Sequence, residues 1–468
     1  MKKKICKIFG FKLFLLLVCF LGLSGRARAV SLSLEESVNM ALDHHYTIES
    51  AAADVQAARW QMSSARRAAG PTLGWNWTAF RLGGRDYNNV DYNRSYSNTL
   101  TLSWPFYTGG GIEANIDAAR YQANSADMGL EGTKQKVRYD AIEAYYGFLQ
   151  KEHLLRVAEE GVYLVENVIQ TLTVQFNEGA IARSEVLQME VQLASYQKNL
   201  IGARGDLAIA RDTLASVIGL PEGTEIHATD TLSYTPYPMT LDACVEYALR
   251  NRPDKAAAEY AVKRAKANER GALSQALPTV AGVLQRGIVG DDPFNQNQNS
   301  NWQAGVQVTW TIFDNLATEA KVNAARKAAD KLIADAEETT RTVRLDTRKA
   351  YEGMRAAESK IDVARVGVEK AERNNTLAEV RYREGVDIIL NLIDAEDKLI
   401  QARTDYYMAL YEYNLYRAGL DRAMGVPVNV DVPRYRTAEA DGRSPRRAEE
   451  IALIAQPGHE GAERGGKP

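Results

Sequence analysis

Few residues of this chain have both the type and the spacing that chemistry requires. Gly109-Gly110-Gly111 lacks the following Gly-Lys-Ser/Thr of a phosphate-cradling loop and reads as a strand-to-helix turn. His44 and His45 are adjacent, so they leave a helix on different faces instead of lining up at the i, i+4 spacing of a metal pair. Neither a Gly-x-Ser-x-Gly nucleophile elbow nor a His-Glu-x-x-His metal motif occurs. The expectation is therefore no enzyme, no cofactor and no metal. One polar set is spaced to act together: Asp387, Asn391 and Asp394 step by four and three, which puts them on one helix face.

That face follows a turn that the chain makes twice. Phe176-Asn177-Glu178-Gly179-Ala180 and Tyr382-Arg383-Glu384-Gly385-Val386 lie 206 residues apart. In each, a long apolar-periodic stretch runs in, Gly stands where a helix needs a left-handed residue to stop, and a second stretch leaves. The register extends well beyond the turns. Leu34 to Leu42 lines up with Leu241 to Leu249, and Pro71-Thr72 with Pro278-Thr279, at an offset of 207. From Trp104 onto Trp310, through Tyr145 onto Tyr351, to Gly219-Leu220-Pro221 onto Gly425-Val426-Pro427, the offset is 206. A register this long with a single slip is a duplication of a half-domain. The expected order in each unit is a helix (Ala51 to Arg67; Ala256 to Ala276), two strands and two long helices.

The long helices carry a period of 3.5. Val137, Ala141, Ala144, Phe148, Lys151, Leu155, Ala158, Val162, Val165, Ile169, Leu172 and Phe176 step by four and three, and Val186 to Val217 continues the rule. The second unit repeats it from Val343 to Tyr382 and from Leu392 to Ala423. Such a period specifies coiled-coil packing, and a helix from Gly111 to Glu178 would run ~100 Å.

The strands alternate with period two. Leu73, Trp75, Trp77 and Ala79, then Leu100, Leu102, Trp104 and Phe106, face away from Thr, Gly, Asn and Ser; Trp302 to Ile312 does the same, and Val280 to Val289 alternates less cleanly. Polar loops, Gly83 to Asn89 and Gly290 to Gln296, join the partners. A strand of about ten residues with one apolar and one polar face suits a barrel wall between lipid and water, with Trp75, Trp77, Trp104, Trp302 and Trp310 lipid-facing. Four strands cannot enclose a lumen and open edges are not tolerated in lipid, so copies must associate; three would supply twelve strands.

Residues 1–29 read as a signal peptide: Lys2, Lys3, Lys4, Lys7 and Lys12, an apolar run from Leu13 to Leu23, and an Ala27-Arg28-Ala29 cleavage site. Its removal leaves Cys244 as the only cysteine, excluding an intrachain disulfide. It also takes five Lys and two Arg from a chain of net charge −3, leaving about ten net negative charges and arguing against nucleic acid. The remaining units are 30–235, with a hairpin at 72–107 and a tip near Gly179, and 236–433, with a hairpin at 279–313 and a tip near Gly385. A tail at 434–468 has no durable period and the composition of a disordered segment.

Taken together, the duplication, the Leu-x-x-x-Val-x-x-Ala-Leu opening, the Pro-Thr step into each hairpin and the Gly-centred tips resemble the TolC family of bacterial outer membrane efflux proteins, over nearly all of Leu34 to Pro433. The resemblance implies an α+β fold: a long antiparallel α-helical coiled-coil barrel, a four-strand contribution per chain to a trimeric transmembrane β-barrel, and an internal two-fold structural repeat. It implies a homotrimeric exit duct of a tripartite efflux or type I secretion system, set in outer membrane lipid with its helical part in the periplasm, partnered by a periplasmic adaptor and an inner membrane pump of RND or ABC type. Segments near Pro221 to Pro238 and the chain's end would belt its middle. Asp394 matches one of two acidic positions that ring the family's periplasmic constriction, and Asn391 stands where the other is an Asp, with Asp387 beside them. Tyr382 matches a tip-latch partner, and Ser184-Glu185 match a Thr-Asp pair. Asp387 replaces a basic residue, so Arg183 is expected to supply the missing charge to it, leaving Tyr382 to hydrogen-bond Glu185. Gly179, Ala180, Gly385 and Val386 are the expected adaptor contacts. A periplasmic coiled-coil structural or adaptor protein is the other reading; it would share the heptads but not the Trp-bearing strands.

Overall fold

A computed structural model of the chain describes residues 30–81, 94–221, 223–290 and 300–428. The signal segment 1–29, the loop from Gly83 to Asn89, all of the second loop beyond Gly290, and the tail 434–468 lie outside the described residues.

After a short strand β1 (Val30–Leu32), Ser33 opens helix α1 (Leu34–His44) with a capping box: its Oγ accepts from the Glu36 N–H, and the Glu36 carboxylate accepts from the Ser33 N–H at 2.8 Å. Helix α2 (Tyr46–Arg67) leads into β2 (Thr72–Arg81) and β3 (Arg94–Tyr107), then the 67-residue α3 (Gly111–Asn177) and the 36-residue α4 (Arg183–Ile218). Strand β4 (Ile226–Ala228) pairs in parallel with β1. The order then recurs: α5 (Leu241–Asn251), α6 (Pro253–Ser274), β5 (Thr279–Gly290), β6 (Ser300–Thr309), and α7 (Ala317–Arg383) and α8 (Ile389–Met424), again of 67 and 36 residues.

Two helices precede each hairpin, where the sequence reading placed one. The break is local: His45 and Arg252 both adopt extended φ/ψ, and Arg252 precedes Pro253, whose ring excludes the α region for its neighbour. The pairing of β1 with β4 was also unforeseen, since three residues carry no period.

The helical seams match their 3.5 period. All the periodic positions named above are buried or half-buried except Tyr416, whose ring nonetheless covers Gly353. Each 67-residue helix outruns its 36-residue partner, and the 22-residue α2 and α6 pack along the portion left over.

The four strands form one antiparallel sheet in the order β2-β3-β5-β6, so β2 and β6 are open edges. β5 pairs on both sides, without a shift against β6 and with one register shift against β3 between Pro105 and Tyr107. β6 ends at Thr309, so Trp310 stands one residue past the strand in which it was expected. Cross-strand register places Leu73 beside Leu102, Leu284 and Ala304, and Trp75 beside Leu100, Arg286 and Trp302. One face is therefore largely apolar, interrupted by Asn98, Arg286 and Ser300 and ending at Arg81 and Arg94. The other carries Asn76, Thr78, Ser97, Thr99, Thr101, Gln303 and Gln307.

Candidate functional site

The polar set singled out in the sequence sits where the helical hairpins turn. Both long helices stop in the same way. Gly179 (φ 75°) donates to Phe176 O and Ala180 to Gln175 O; Gly385 (φ 69°) donates to Tyr382 O and Val386 to Arg381 O. These paired bonds satisfy the last carbonyls and need a left-handed residue, which Gly supplies without Cβ strain.

Below the turns the two hairpins pack on each other. Val162, Val165, Leu172, Met189, Tyr196, Ile389 and Leu392 form a buried cluster drawn from α3, α4 and α8, with Ala378 and Tyr382 of α7 against it. Two polar ties cross it. The Tyr382 hydroxyl donates to Glu185 Oε2 at 3.1 Å, joining the end of α7 to the start of α4. Burial, then the Glu185 carboxylate, pushes Tyr382 up to about 12, so it stays a donor at any physiological pH. Further along, Asp397 accepts from the Tyr196 hydroxyl at 2.7 Å and from Gln192 Nε2 at 3.0 Å. Sequence reasoning missed this tie, although Tyr196 was a hydroxyl-bearing residue in an otherwise apolar seam and so needed a partner.

Next to Asp397 is a group that breaks the usual rule for carboxylates. Glu396 is 5% exposed and its Oε2 has no hydrogen-bond partner among the described residues. Burial, followed by the charges of Asp397 and Glu379, pushes it up to about 7.

The expected ion pair of Arg183 with Asp387 is not formed among the described residues. Asp387 lies ahead of α8, not on the helical face assigned to it. Its Oδ1 accepts from the Ile388 N–H at 2.9 Å and from Asn391 Nδ2 at 2.5 Å, which hold its carboxyl below the usual range. Local reach from the residue before the N-cap satisfies it, leaving Arg183 exposed. Ser184 is exposed with no hydrogen bond among the described residues. Asp394 is exposed and paired with Lys398 at 2.5 Å. Gly179, Ala180, Gly385 and Val386 are all exposed, as are Ile388 and Leu390, which makes the second tip an apolar point.

At the far end of the chain's long axis of helices, Trp75, Trp77, Trp104 and Trp302 are exposed on the apolar face of the sheet. Trp104 Nε1 donates to Ala69 O at 3.2 Å and Trp310 Nε1 to Ala276 O at 3.1 Å. Both indoles thus tie the hairpins to the end of the preceding helix, Trp104 from the apolar face of β3 and Trp310 from one residue past β6. His45 caps α2, and Gly110 (φ 82°) starts α3, so the histidine pair and the glycine run both serve helix ends.

The family model for outer membrane efflux proteins matches residues 37–220 and 244–426. The chain belongs to that family. Among curated members, the alkaline protease secretion protein AprF of Pseudomonas aeruginosa is 22% identical over 458 residues, covering 92% of each chain. The cobalt-zinc-cadmium resistance protein CzcC of Cupriavidus metallidurans is 24% identical over 409 residues, 86% of this chain and 91% of its own. The crystal structure of the Campylobacter jejuni CmeC outer membrane channel superposes with a TM-score of 0.75 at 15% identity, over 86% of this chain and 88% of that one. The chain is an outer membrane efflux protein whose helical part stands in the periplasm. No helix among the described residues is long and apolar enough to cross a membrane.

Proposed function

We propose that three copies of this chain, each a two-fold internal repeat, close their sheets into one transmembrane barrel and their helices into one periplasmic tube. This duct passes substrates received from an inner membrane pump, of RND or ABC type, through a periplasmic adaptor. One observation carries the reading: a four-stranded sheet with an apolar face, a polar face and two unpaired edges. In lipid each open edge leaves a row of N–H and C=O groups without water, at several kcal/mol per group, and pairing β6 of one copy with β2 of the next removes the cost.

In this duct Asp394, Asn391 and Asp387 surround the periplasmic entrance, and Tyr382 with Glu185 holds it closed, flanked by Ser184 and Arg183. The exposed tips at Gly179, Ala180, Gly385 and Val386 meet the adaptor. The Lys398 pair lowers the charge that each Asp394 presents, so the ring is a weak cation selector. The cargo is set by the pump, since a duct needs no substrate pocket.

The test uses full-length protein from the outer membrane fraction. Heat-modifiable trimers that need detergent and form pores in planar bilayers, with multivalent-cation block lost in Asp394→Ala, are expected. A soluble periplasmic monomer would overturn the duct in favour of a coiled-coil structural or adaptor protein, and an unchanged block would remove Asp394 from the ring.

A further inference from the structure

The apolar face of the β2–β3 hairpin can be measured against a bilayer. Trp104 marks the periplasmic boundary, where its indole is bonded to the end of α2. From there the register on this face climbs through Leu73 and Leu102, Trp75 and Leu100, Trp77 and Asn98, and Ala79 and Tyr96, to Arg81 directly opposite Arg94. Arg81 lies eight residues beyond Leu73, whose partner Leu102 is two residues from Trp104. Ten residues at ~3.3 Å, tilted ~40°, rise ~25 Å, the height of the apolar band of an outer membrane barrel. The Trp77 and Tyr96 rings, with centroids 6.3 Å apart, supply the aromatic layer just inside the far boundary. The two arginines stand just beyond it.

Like charges directly opposite on one sheet face repel. Arg81 and Arg94 are both exposed, and neither has an ion-pair partner among the described residues. The end of the second hairpin, with Ile288 opposite Ser300, carries no such pair. A paired cation at the outer boundary, flanked by aromatic rings and open toward lipid, matches one kind of anion: a phosphate attached to acyl chains. We propose that Arg81 and Arg94 form a binding site for the phosphate of an anionic outer-leaflet glycolipid, whose chains lie along Trp77 and Tyr96. Two guanidiniums present forked N–H donors suited to bridging one phosphate, and the bound anion relieves their repulsion.

This site rests on the barrel reading above, and the experiment separates the two. Full-length protein in detergent is titrated with bisphosphorylated lipid A, with its dephosphorylated form and with inorganic phosphate, reading thermal stability and native mass. In parallel, tryptophan quenching by brominated lipid reports whether the sheet face meets acyl chains. Expected are binding and stabilisation by the phosphorylated lipid alone, weakened on the order of tenfold in Arg81→Gln or Arg94→Gln, with quenching unchanged. Persistent quenching with no preference for the phosphorylated lipid, or with equal binding by the double variant, overturns the site and leaves the barrel standing. An equal response to inorganic phosphate also overturns it, as an anion site without a lipid. Absent quenching removes the barrel reading and the site with it.

Discussion

At the first tip α3 ends in Phe176, Glu178 and Gly179; at the second α7 ends in Tyr382, Glu384 and Gly385, and both turns close with the same pair of backbone bonds. Position for position, most side chains diverge, and one that does not, Glu190 and Glu396, differs in its surroundings. Phe176 answers to Tyr382, Glu185 to Asn391, Gln188 to Asp394, Glu190 to Glu396 and Val191 to Asp397. The exchanges are complementary: Tyr382 gains the hydroxyl that Glu185 receives, while Asn391 takes Asp387. Glu190 is exposed and Val191 is 74% exposed, whereas Glu396 is buried and Asp397 is tied to Tyr196. On a shared backbone the second tip has thus gained the hydroxyl of Tyr382 and the carboxylate of Asp397, which bind Glu185, Gln192 and Tyr196 of the first hairpin, where the first tip has Phe176 and an exposed Val191.

The largest expected effect tests whether burial separates the two glutamates. Unfolded, Glu396 titrates near 4.5; folded, near 7. The folded state therefore retains its proton between those values, so its stability is greatest below pH 4.5 and falls as pH rises through 7. The difference corresponds to about 3 kcal/mol. Glu396→Gln should recover that stability at pH 8 and nothing at pH 4, measured by hydrogen exchange in the first turns of α8. Glu190→Gln should change neither value. A pH response shared equally by both variants would erase the contrast between the tips.

How far the sequence reaches differs along the same lines. The seams were legible because a 3.5 period runs from Val137 to Phe176 in α3 and from Val343 to Tyr382 in α7, and the sheet faces because alternation exposes Trp75 and Trp302 together. Which strand of one hairpin meets the other was not legible, since β3 and β5 are joined only through the backbone of distant segments. Nor was the burial of Glu396. It flanks the seam formed by Leu392, Ala395 and Leu399, and its burial comes from tertiary packing that no sequence period records. For Asp387 the error was one of range: opposite charges were matched across the hairpins, while an amide four residues away was closer.

A smaller effect is expected where one hydroxyl distinguishes the tips. Tyr382→Phe gives the second tip the aromatic residue of the first and leaves Glu185 without its donor. A hydrogen bond to a carboxylate contributes about 1.5 to 3 kcal/mol, and partial exposure here brings that to about 1 kcal/mol. Tip opening, read as single-channel open probability, should rise about fivefold, with Phe176→Tyr silent because Asn391 stands where Glu185 would be needed. An unaltered open probability in Tyr382→Phe would mean that the apolar cluster alone closes the entrance.

A third contrast, which includes the smallest effect in Leu316→Gly, lies at the opposite end of the long helices, where the two sets trade backbone freedom for a stronger cap. α3 begins after Gly110 at φ 82°, α7 after Leu316 at φ 64° and Asn315 at φ 56°. Left-handed geometry costs a Leu roughly 1 to 2 kcal/mol that Gly does not bear. The cap is built differently as well: Thr108 Oγ1 accepts from the Ile112 N–H at 3.2 Å, while the Asp314 carboxylate accepts from the Thr318 N–H at 2.8 Å. A charged acceptor at a helix start is the better match to the helix dipole, and it offsets part of the strain at Leu316. Leu316→Gly should therefore stabilise the fold, but by only about 0.5 to 1 kcal/mol, since Gly also gains freedom in the unfolded chain. Gly110→Leu should cost about 1 to 2 kcal/mol through the backbone alone, because a Cβ at Gly110 meets nothing within 4 Å. If adding Thr108→Asp halves that loss in a denaturant titration, the charged cap is what allows the second set to do without its glycine. If it does not, the left-handed Leu is held by packing further along α7.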